Sequence, residues 1–320
     1  MRIVLFAYQA VGHAVLEELL ALKAPVAAVF THADDPGEKI WFPSVAALAA
    51  KAGIPVFTPA KLKTPEFTAQ VAAQQPELFI SAYYRRILPL EVLRLAPRGG
   101  LNLHGSLLPK YRGAAPANWQ LVNGEAESGA TLHGMSETVD QGAIIDQARF
   151  ALGPDDTIRD FYAKLLPASR LLIRRNFTAI LSGRLPAIAQ DESQATVFPK
   201  RRPADGEFRW EWPALRIHDL TRAVTHPFPG AFFLQDGARV RVWKTARVLP
   251  GKAATAPLDA PPGYIVSSQA GRLELKTGAG HLWLESVQTD DGAERPAAKW
   301  AADCGLTPGK ALGAPGGDGR

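Results

Sequence analysis

The chain has 320 residues, 47% of them hydrophobic, and a formal net charge of +5 at pH 7; that is enough for a full core and for two domains of roughly 100–200 residues each. No apolar run approaches the roughly 20 residues of a membrane helix and the first residues show no cleavable leader pattern, so neither membrane insertion nor secretion is expected. The single cysteine, Cys304, can form neither an intramolecular disulfide nor a thiolate metal site, which fits a cytoplasmic protein.

In chain order, an apolar run from Ile3 to Ala7 precedes a helix-period stretch from Gly12 to Leu22, and Val26 to Phe30 resumes as strand. A second helix is predicted across Ser44 to Ala52, with Ser44 as N-cap and Gly53 as its stop. Extended chain at Pro55 to Phe57, a helix from Pro65 to Gln74, a strand from Leu78 to Ala82 and a helix near Leu90 to Leu95 follow. Strands alternating with helices of this length imply an α/β fold, a Rossmann-like parallel sheet covered on both faces. The turn from Ala7 to Gly12 lacks the glycine fingerprint of a dinucleotide site, so no NAD is expected there.

After Pro203 the pattern changes to short strands: Gly230 to Leu234, Arg239 to Trp243, Gly263 to Val266, Arg272 to Lys276 and His281 to Val287. Glycine, proline and aspartate turns separate them, which predicts a small C-terminal β-barrel of the OB-like kind. The stretch Leu249 to Pro262 reads as an exposed loop. The expected organisation is a catalytic domain over 1–202, the β domain over 203–308 and a disordered tail over 309–320.

Candidate chemistry concentrates between Leu101 and Asp140. In LNLHG the strand period of two sends Leu101 and Leu103 to one face and Asn102 and His104 together to the other. The following GSLLPKYRGAAPANW is long and punctuated by glycine and proline, as expected of a loop at the carboxyl ends of α/β strands. Asp140, in ETVDQGAII, is an acid at a turn; pattern alone fits a plain turn residue as well as a catalytic one. The remaining histidines form no metal-binding spacing.

The stretch NLHGSLLPKYRGAAP, followed by Asp140, resembles the signature of the 10-formyltetrahydrofolate-dependent formyltransferases. The likeness continues through FTHADDPGEKIWFPSVAALAAKAGIPVF, SAYYRRIL, WQLVNGEAESGATLH and RAVTHPFPGAF, over roughly the first 245 residues. Within the family it is most similar to the branch that formylates UDP-4-amino-4-deoxy-L-arabinose in lipid A modification and polymyxin resistance. The resemblance implies a formyltransferase with Asn102, His104 and Asp140 as the catalytic set. It further implies 10-formyltetrahydrofolate as cosubstrate, held by Arg86, Ile87 and Leu88 and by Ser136, Glu137, Thr138, Val139 and Asp140, with no metal. The implied acceptor is a nucleotide-linked amino sugar. Two features depart from that branch: Ala114 stands where its motif carries arginine, and 320 residues are too few for the dehydrogenase-decarboxylase half fused to it.

In such chemistry a neutral amine attacks the formyl carbon, a tetrahedral oxyanion forms, and the folate nitrogen leaves with a proton. Asn102 can donate to the oxyanion, His104 can donate or supply the proton, and Asp140 can orient His104 or accept the amine's proton. The alternatives are methionyl-tRNA formyltransferase, a formyltransferase acting on another UDP- or dTDP-amino sugar, formyltetrahydrofolate hydrolase, and an idle binding protein. Against the first, THADDPGEKIW sets Asp34, Asp35 and Glu38 against Lys39 alone, a loop that repels phosphates, so no nucleic-acid partner is expected. The segment Tyr83 to Arg86 is expected to line the folate pocket by stacking and backbone groups. The turn Pro227 to Gly230 is expected to border the acceptor entrance. The sequence carries no signal for an oligomeric state.

Overall fold

The computed structural model describes residues 1–249, 251–290 and 292–313. Its elements run β1 (Ile3–Ala7), α1 (Gln9–Ala21), β2 (Val26–Phe30), α2 (Val45–Lys51), β3 (Val56–Phe57), α3 (Pro65–Ala72), β4 (Leu78–Ala82), α4 (Leu90–Leu93) and β5 (Gly100–His104). They continue with β6 (Arg112–Gly113), α5 (Pro116–Val122), β7 (Glu127–Gly134), β8 (Ile144–Ala151), α6 (Ile158–Ser182) and β9 (Val197–Phe198). The last part holds α7 (Ala214–Val224), β10 (Ala231–Gln235), β11 (Ala238–Arg247), β12 (Ile265–Gln269), β13 (Arg272–Lys276), β14 (His281–Thr289), β15 (Arg295–Pro296) and α8 (Ala297–Asp303).

Local signals set the first helices. Ser44 caps α2 by accepting from the Ala47 amide at 3.2 Å, and Gly53 ends that turn at φ 72°. Thr64 caps α3 in the same way on Phe67, with Pro65 at its first position. The central strands of the first sheet are buried: β1 and β4 are buried at every position, as expected of strands covered on both faces.

That sheet has seven strands in the order β3-β2-β1-β4-β5-β7-β8. From β3 to β5 it is parallel, and the order reverses about β1, the Rossmann-like pattern predicted. Beyond β5 the sheet gains an antiparallel edge, where β7 runs antiparallel to β5 and β8 antiparallel to β7. The short connection between β7 and β8 accounts for the second of these reversals, since a parallel crossover needs a dozen or more residues and a reversing pair does not. A cluster of Val4, Phe6, Phe30, Phe67, Phe79, Leu88 and Val92 fills one face of the parallel part, with Met135 packed against it.

The chain packs as two compact units, and the boundary is not the single cut after residue 202 that the sequence suggested. One unit comprises Met1–Pro116, Glu127–Leu152 and Tyr162–Pro199; the other comprises Ala117–Ala126, Gly153–Phe161 and Lys200–Arg320. Two stretches of the N-terminal sequence thus belong with the second unit. There Asn118 donates to the Ala223 carbonyl at 2.7 Å, Arg222 to the Asp156 carbonyl at 2.9 Å, and Asp155 pairs with Arg247 at 3.0 Å.

The second unit is built on a six-stranded antiparallel sheet, β10-β11-β14-β13-β12 with β15 on β14. Each outer strand has its free edge covered: Phe232 of β10 pairs with Glu207, and Ile265 of β12 donates to the Lys310 carbonyl at 2.8 Å. Covered edges remove the unpaired groups that invite further strands. Phe208, Phe233 and Trp300 form its buried aromatic core. The tail expected from Gly309 onward starts differently, since Gly309 donates to Ile265, Ala311 pairs with Tyr264 and Leu312 is buried. The rest of that segment, 314–320, lies outside the described residues.

Candidate active site

Asn102 and His104 sit at the carboxyl end of β5 on one face, while Leu101 and Leu103 of the same strand are buried on the other. Strand β7 supplies the neighbours across the ladder: His133 faces Asn102, and Thr131 faces His104. A bulge where β8 passes His133 shifts the register there, a common device beside active sites. Asp140 arrives from the β7–β8 turn in the left-handed conformation, φ 58°. Gly142 follows because a Cβ there would collide with the Gly134 carbonyl.

These side chains converge. Asp140 Oδ2 accepts from the Gly113 amide at 2.9 Å and lies 3.6 Å from His104 Nδ1, while Oδ1 lies 3.4 Å from Asn102 Nδ2 and 3.6 Å from His133 Nε2. The histidine tautomers follow from their partners, because a carbonyl can only accept. His104 Nε2 is 2.7 Å from the Tyr111 carbonyl and so carries a proton, leaving Nδ1 to face Asp140. His133 Nδ1 donates to the Gly134 carbonyl at 2.8 Å, so its Nε2 accepts from Asn102 Nδ2 at 3.1 Å. The Asn102 amide nitrogen is therefore turned inward, toward His133 and Asp140.

Burial alone would push the Asp140 carboxyl up, but the His104 and His133 rings in their protonated form and the Gly113 amide outweigh it and hold the group well below the usual carboxylate range. Asp140 is thus a fixed negative charge, only 8% exposed. The loop before α5 supplies its amide donor through a strained path, with Tyr111, Gly113 and Ala115 all at positive φ; non-glycine residues there cost roughly 1–3 kcal/mol each, typical of functional sites. Thr131 and Gln147 hold the preceding turn. Thr131 donates to the Ser106 carbonyl at 2.6 Å and accepts from the Leu108 amide at 3.1 Å, and Gln147 donates to the Leu108 carbonyl at 2.8 Å.

The residues expected to hold folate lie on two loops. Ile87 is 71% exposed and Val139 43%, while Leu88 is buried in the sheet cluster that Met135 also joins, so both loops root in the same apolar mass. Arg86 donates to the carbonyls of Pro59 and Ala60 at 3.1 and 2.5 Å. Ser136 donates to the Thr138 carbonyl at 2.8 Å, and Glu137 lies 3.9 Å from Arg94. Tyr83 and Tyr84 are both half-buried. The Tyr84 ring stacks on His32 at 4.2 Å, and Tyr83 packs edge-on to Tyr162 with its hydroxyl buried. In the acidic loop Glu38 takes both arms of Arg85 at 2.5–2.6 Å, and Asp34 accepts from the Tyr8 hydroxyl at 2.9 Å.

His133, Tyr111 and Gln190 escaped the sequence reading. Thr131-Leu132-His133 does alternate polar and apolar, which was the available signal for His133; Gln190 offers none, since its contacts span about 50 to 78 positions. Among the described residues no group of three or more His, Cys, Asp and Glu is arranged to hold a metal ion, and no helix is long and apolar enough to cross a membrane.

A family model described as "Formyl transferase" matches residues 1–175, and one described as "Formyl transferase, C-terminal domain" matches 200–305. Among solved structures, the chain is similar to the N-formyltransferase from Helicobacter canadensis in complex with folinic acid and dTDP-3-aminofucose. That match has a TM-score of 0.68 and 20% identity, covering 90% of this chain and 98% of the other. It is similar also to WlaRD, a sugar 3N-formyl transferase crystallised in the presence of dTDP and 5-N-formyl-THF, with TM-score 0.67, 19% identity and coverage of 92% and 99%. HypX from Aquifex aeolicus in complex with tetrahydrofolic acid matches with TM-score 0.64 and 18% identity over 95% of this chain but 47% of its own, so the chain spans about half the length of HypX. At these identities the structural likeness is one of fold, whereas the first family model covers more than half of the sequence. The chain belongs to the formyl transferase family.

Proposed function

We propose that this protein transfers the formyl group of 10-formyltetrahydrofolate to the amine of a nucleotide-linked amino sugar. The observation that carries the reading is the convergence of Asn102, His104 and Asp140 around one point at the end of β5, with Asp140 held ionised. Membership of the formyl transferase family supports the reaction class. For the acceptor, support comes from two formyltransferases of the same fold, one crystallised with dTDP and the other with the amino sugar dTDP-3-aminofucose. The UDP-4-amino-4-deoxy-L-arabinose expected from the sequence is one member of that class.

The chemistry follows from the groups. The acceptor's neutral amine attacks the formyl carbon, making a C–N bond and an oxyanion on the formyl oxygen. Asn102 stabilises it by exchanging its long 3.4 Å contact with Asp140 for the formyl oxygen while keeping the shorter one to His133. The attacking nitrogen then sheds a proton to His104 Nδ1, the ring nitrogen that is free to take one. The same proton passes to N10 of the folate as the C–N10 bond breaks, giving the formamide and tetrahydrofolate. A carboxylate held far below its usual range is a poor base, so Asp140 serves as the charge that stabilises the protonated His104 ring across 3.6 Å. Ile87 and Val139 offer the apolar lips for the pterin.

The experiment is an acceptor screen with 10-formyltetrahydrofolate against UDP-amino sugars, dTDP-amino sugars and methionyl-tRNA. Turnover confined to nucleotide sugars is expected. Turnover on the tRNA alone, or folate hydrolysis without any acceptor, would replace the reading.

A further inference from the structure

Beyond α6 the chain runs along β8 and the Asp140 turn as a strap, with one 3-10 turn at Glu192–Gln194. Ile188 pairs with Ile144 through two hydrogen bonds of 2.8 and 2.9 Å, Thr196 accepts from the Tyr111 amide at 2.8 Å, and β9 pairs with β6. Between these anchors stands Gln190. Its amide nitrogen donates to the carbonyls of Asp140 and Gly142, both at 2.7 Å, and its carbonyl oxygen accepts from Arg112 Nε at 3.1 Å and Nη2 at 2.7 Å. The orientation is unambiguous, because backbone carbonyls need donors and a guanidinium needs an acceptor. Arg112 is itself almost wholly buried and fixed by both oxygens of Glu192 at 2.7 and 2.8 Å.

We infer that Gln190 is a positioning residue for formyl transfer, holding Asp140 in its left-handed conformation so that the carboxylate faces His104 and Asn102. The inference rests on the reaction assigned above. Asp140 has a positive φ without being glycine, and the Gln190 amide ties down the carbonyls on both sides of that turn. Through Arg112 the same amide joins the Asp140 turn to the strand whose Gly113 amide donates to Asp140 Oδ2. One side chain therefore sets both the backbone that carries the carboxylate and the backbone that receives it. Gln190 touches no reacting atom and acts through Asp140.

The test measures kcat and KM for folate and acceptor in wild type, Gln190→Met and Gln190→Glu, with Gln194→Ala as a control on the exposed part of the strap. Methionine keeps the length and loses both polar functions; glutamate keeps the acceptor for Arg112 and loses the donor to Asp140 and Gly142. Both variants are expected to lose at least tenfold in kcat, on the order of an acid-base contribution or its greater part, with each KM within about threefold and the control unchanged. Equal losses in the two variants, with folding verified by circular dichroism, place the effect on the donated bonds. Turnover within threefold of wild type in either folded variant overturns the role, and so does a loss carried by KM. Should Gln190→Met fail to fold, Gln190→Glu decides alone, since it preserves shape and the Arg112 contact. Absence of turnover in wild type on every acceptor sinks the reaction itself, an outcome distinct from failure of the Gln190 role.

Discussion

His133 stands directly across the β5–β7 ladder from Asn102, and its Nε2 accepts the Asn102 amide at 3.1 Å while its Nδ1 is committed to the Gly134 carbonyl. A ring only 2% exposed thus fixes the orientation of the Asn102 amide. His133→Leu should lower kcat about tenfold, the scale of one lost orienting hydrogen bond of about 1.4 kcal/mol. His133→Gln should recover most of it, since its side-chain oxygen can accept the same N–H. If leucine and glutamine behave alike, the amide is oriented by something else.

Loss of a residue that acts on the tetrahedral intermediate reduces turnover far more than binding. Asn102→Ala and His104→Ala should each cost roughly 100- to 1000-fold in kcat, the range for one oxyanion-site donor. Asp140→Asn keeps the shape, removes the charge opposite His104 Nδ1 and should be comparably damaging. Combined changes should be strongly non-additive. His104→Ala with more than about a tenth of wild-type turnover is incompatible with proton transfer through that ring.

Ile87 is exposed on its loop, so a charge there costs little stability and acts on whatever packs against it. Ile87→Asp should raise KM for the folate at least tenfold and leave KM for the acceptor and the melting temperature close to wild type. An unchanged folate KM would move the pterin away from this loop.

Burial, helped by the charges of Arg86 and Arg85, lowers His32 to about 4, and its Nε2 accepts the Arg85 amide at 3.2 Å. In the unfolded chain the ring titrates near 6.5. Between those values the unfolded state binds the proton and the folded state does not, so the contribution is complete above pH 6.5 and stability falls as pH drops toward 4. His32→Phe keeps a ring against Tyr84 and cannot titrate. The variant should be less stable at pH 7 through the unpaired amide, and its melting temperature should fall less steeply from pH 6.5 to 4. Parallel slopes in the two proteins would mean that His32 is charged in the folded state.

The parallel half of the first sheet was legible because each strand is a short apolar run bracketed by turn residues, and Asn102 and His104 were legible because a period of two is visible in five residues. Strand β7 was not read: Glu127–Gly134 begins and ends in polar residues and glycine, and its burial comes from the strands on either side. The long helix α6 was obscured by Pro167 in its interior, ordinarily a stop signal. Asp140 came only with the resemblance, for an acid in a turn looks the same whether it caps or catalyses. The tautomers of His104 and His133 depend on the Tyr111 and Gly134 carbonyls and on the shape of two loops, which no local pattern encodes.

The strap that carries Gln190 falls between the two family-matched segments, after residue 175 and before residue 200. A fragment cut to the first segment would keep Asn102, His104 and Asp140 and lose Gln190 with its bonds to the Asp140 turn. During synthesis, too, Asn102, His104 and Asp140 emerge well before Gln190, so the bonds from Gln190 to the carbonyls of Asp140 and Gly142 form only after β8 has been made.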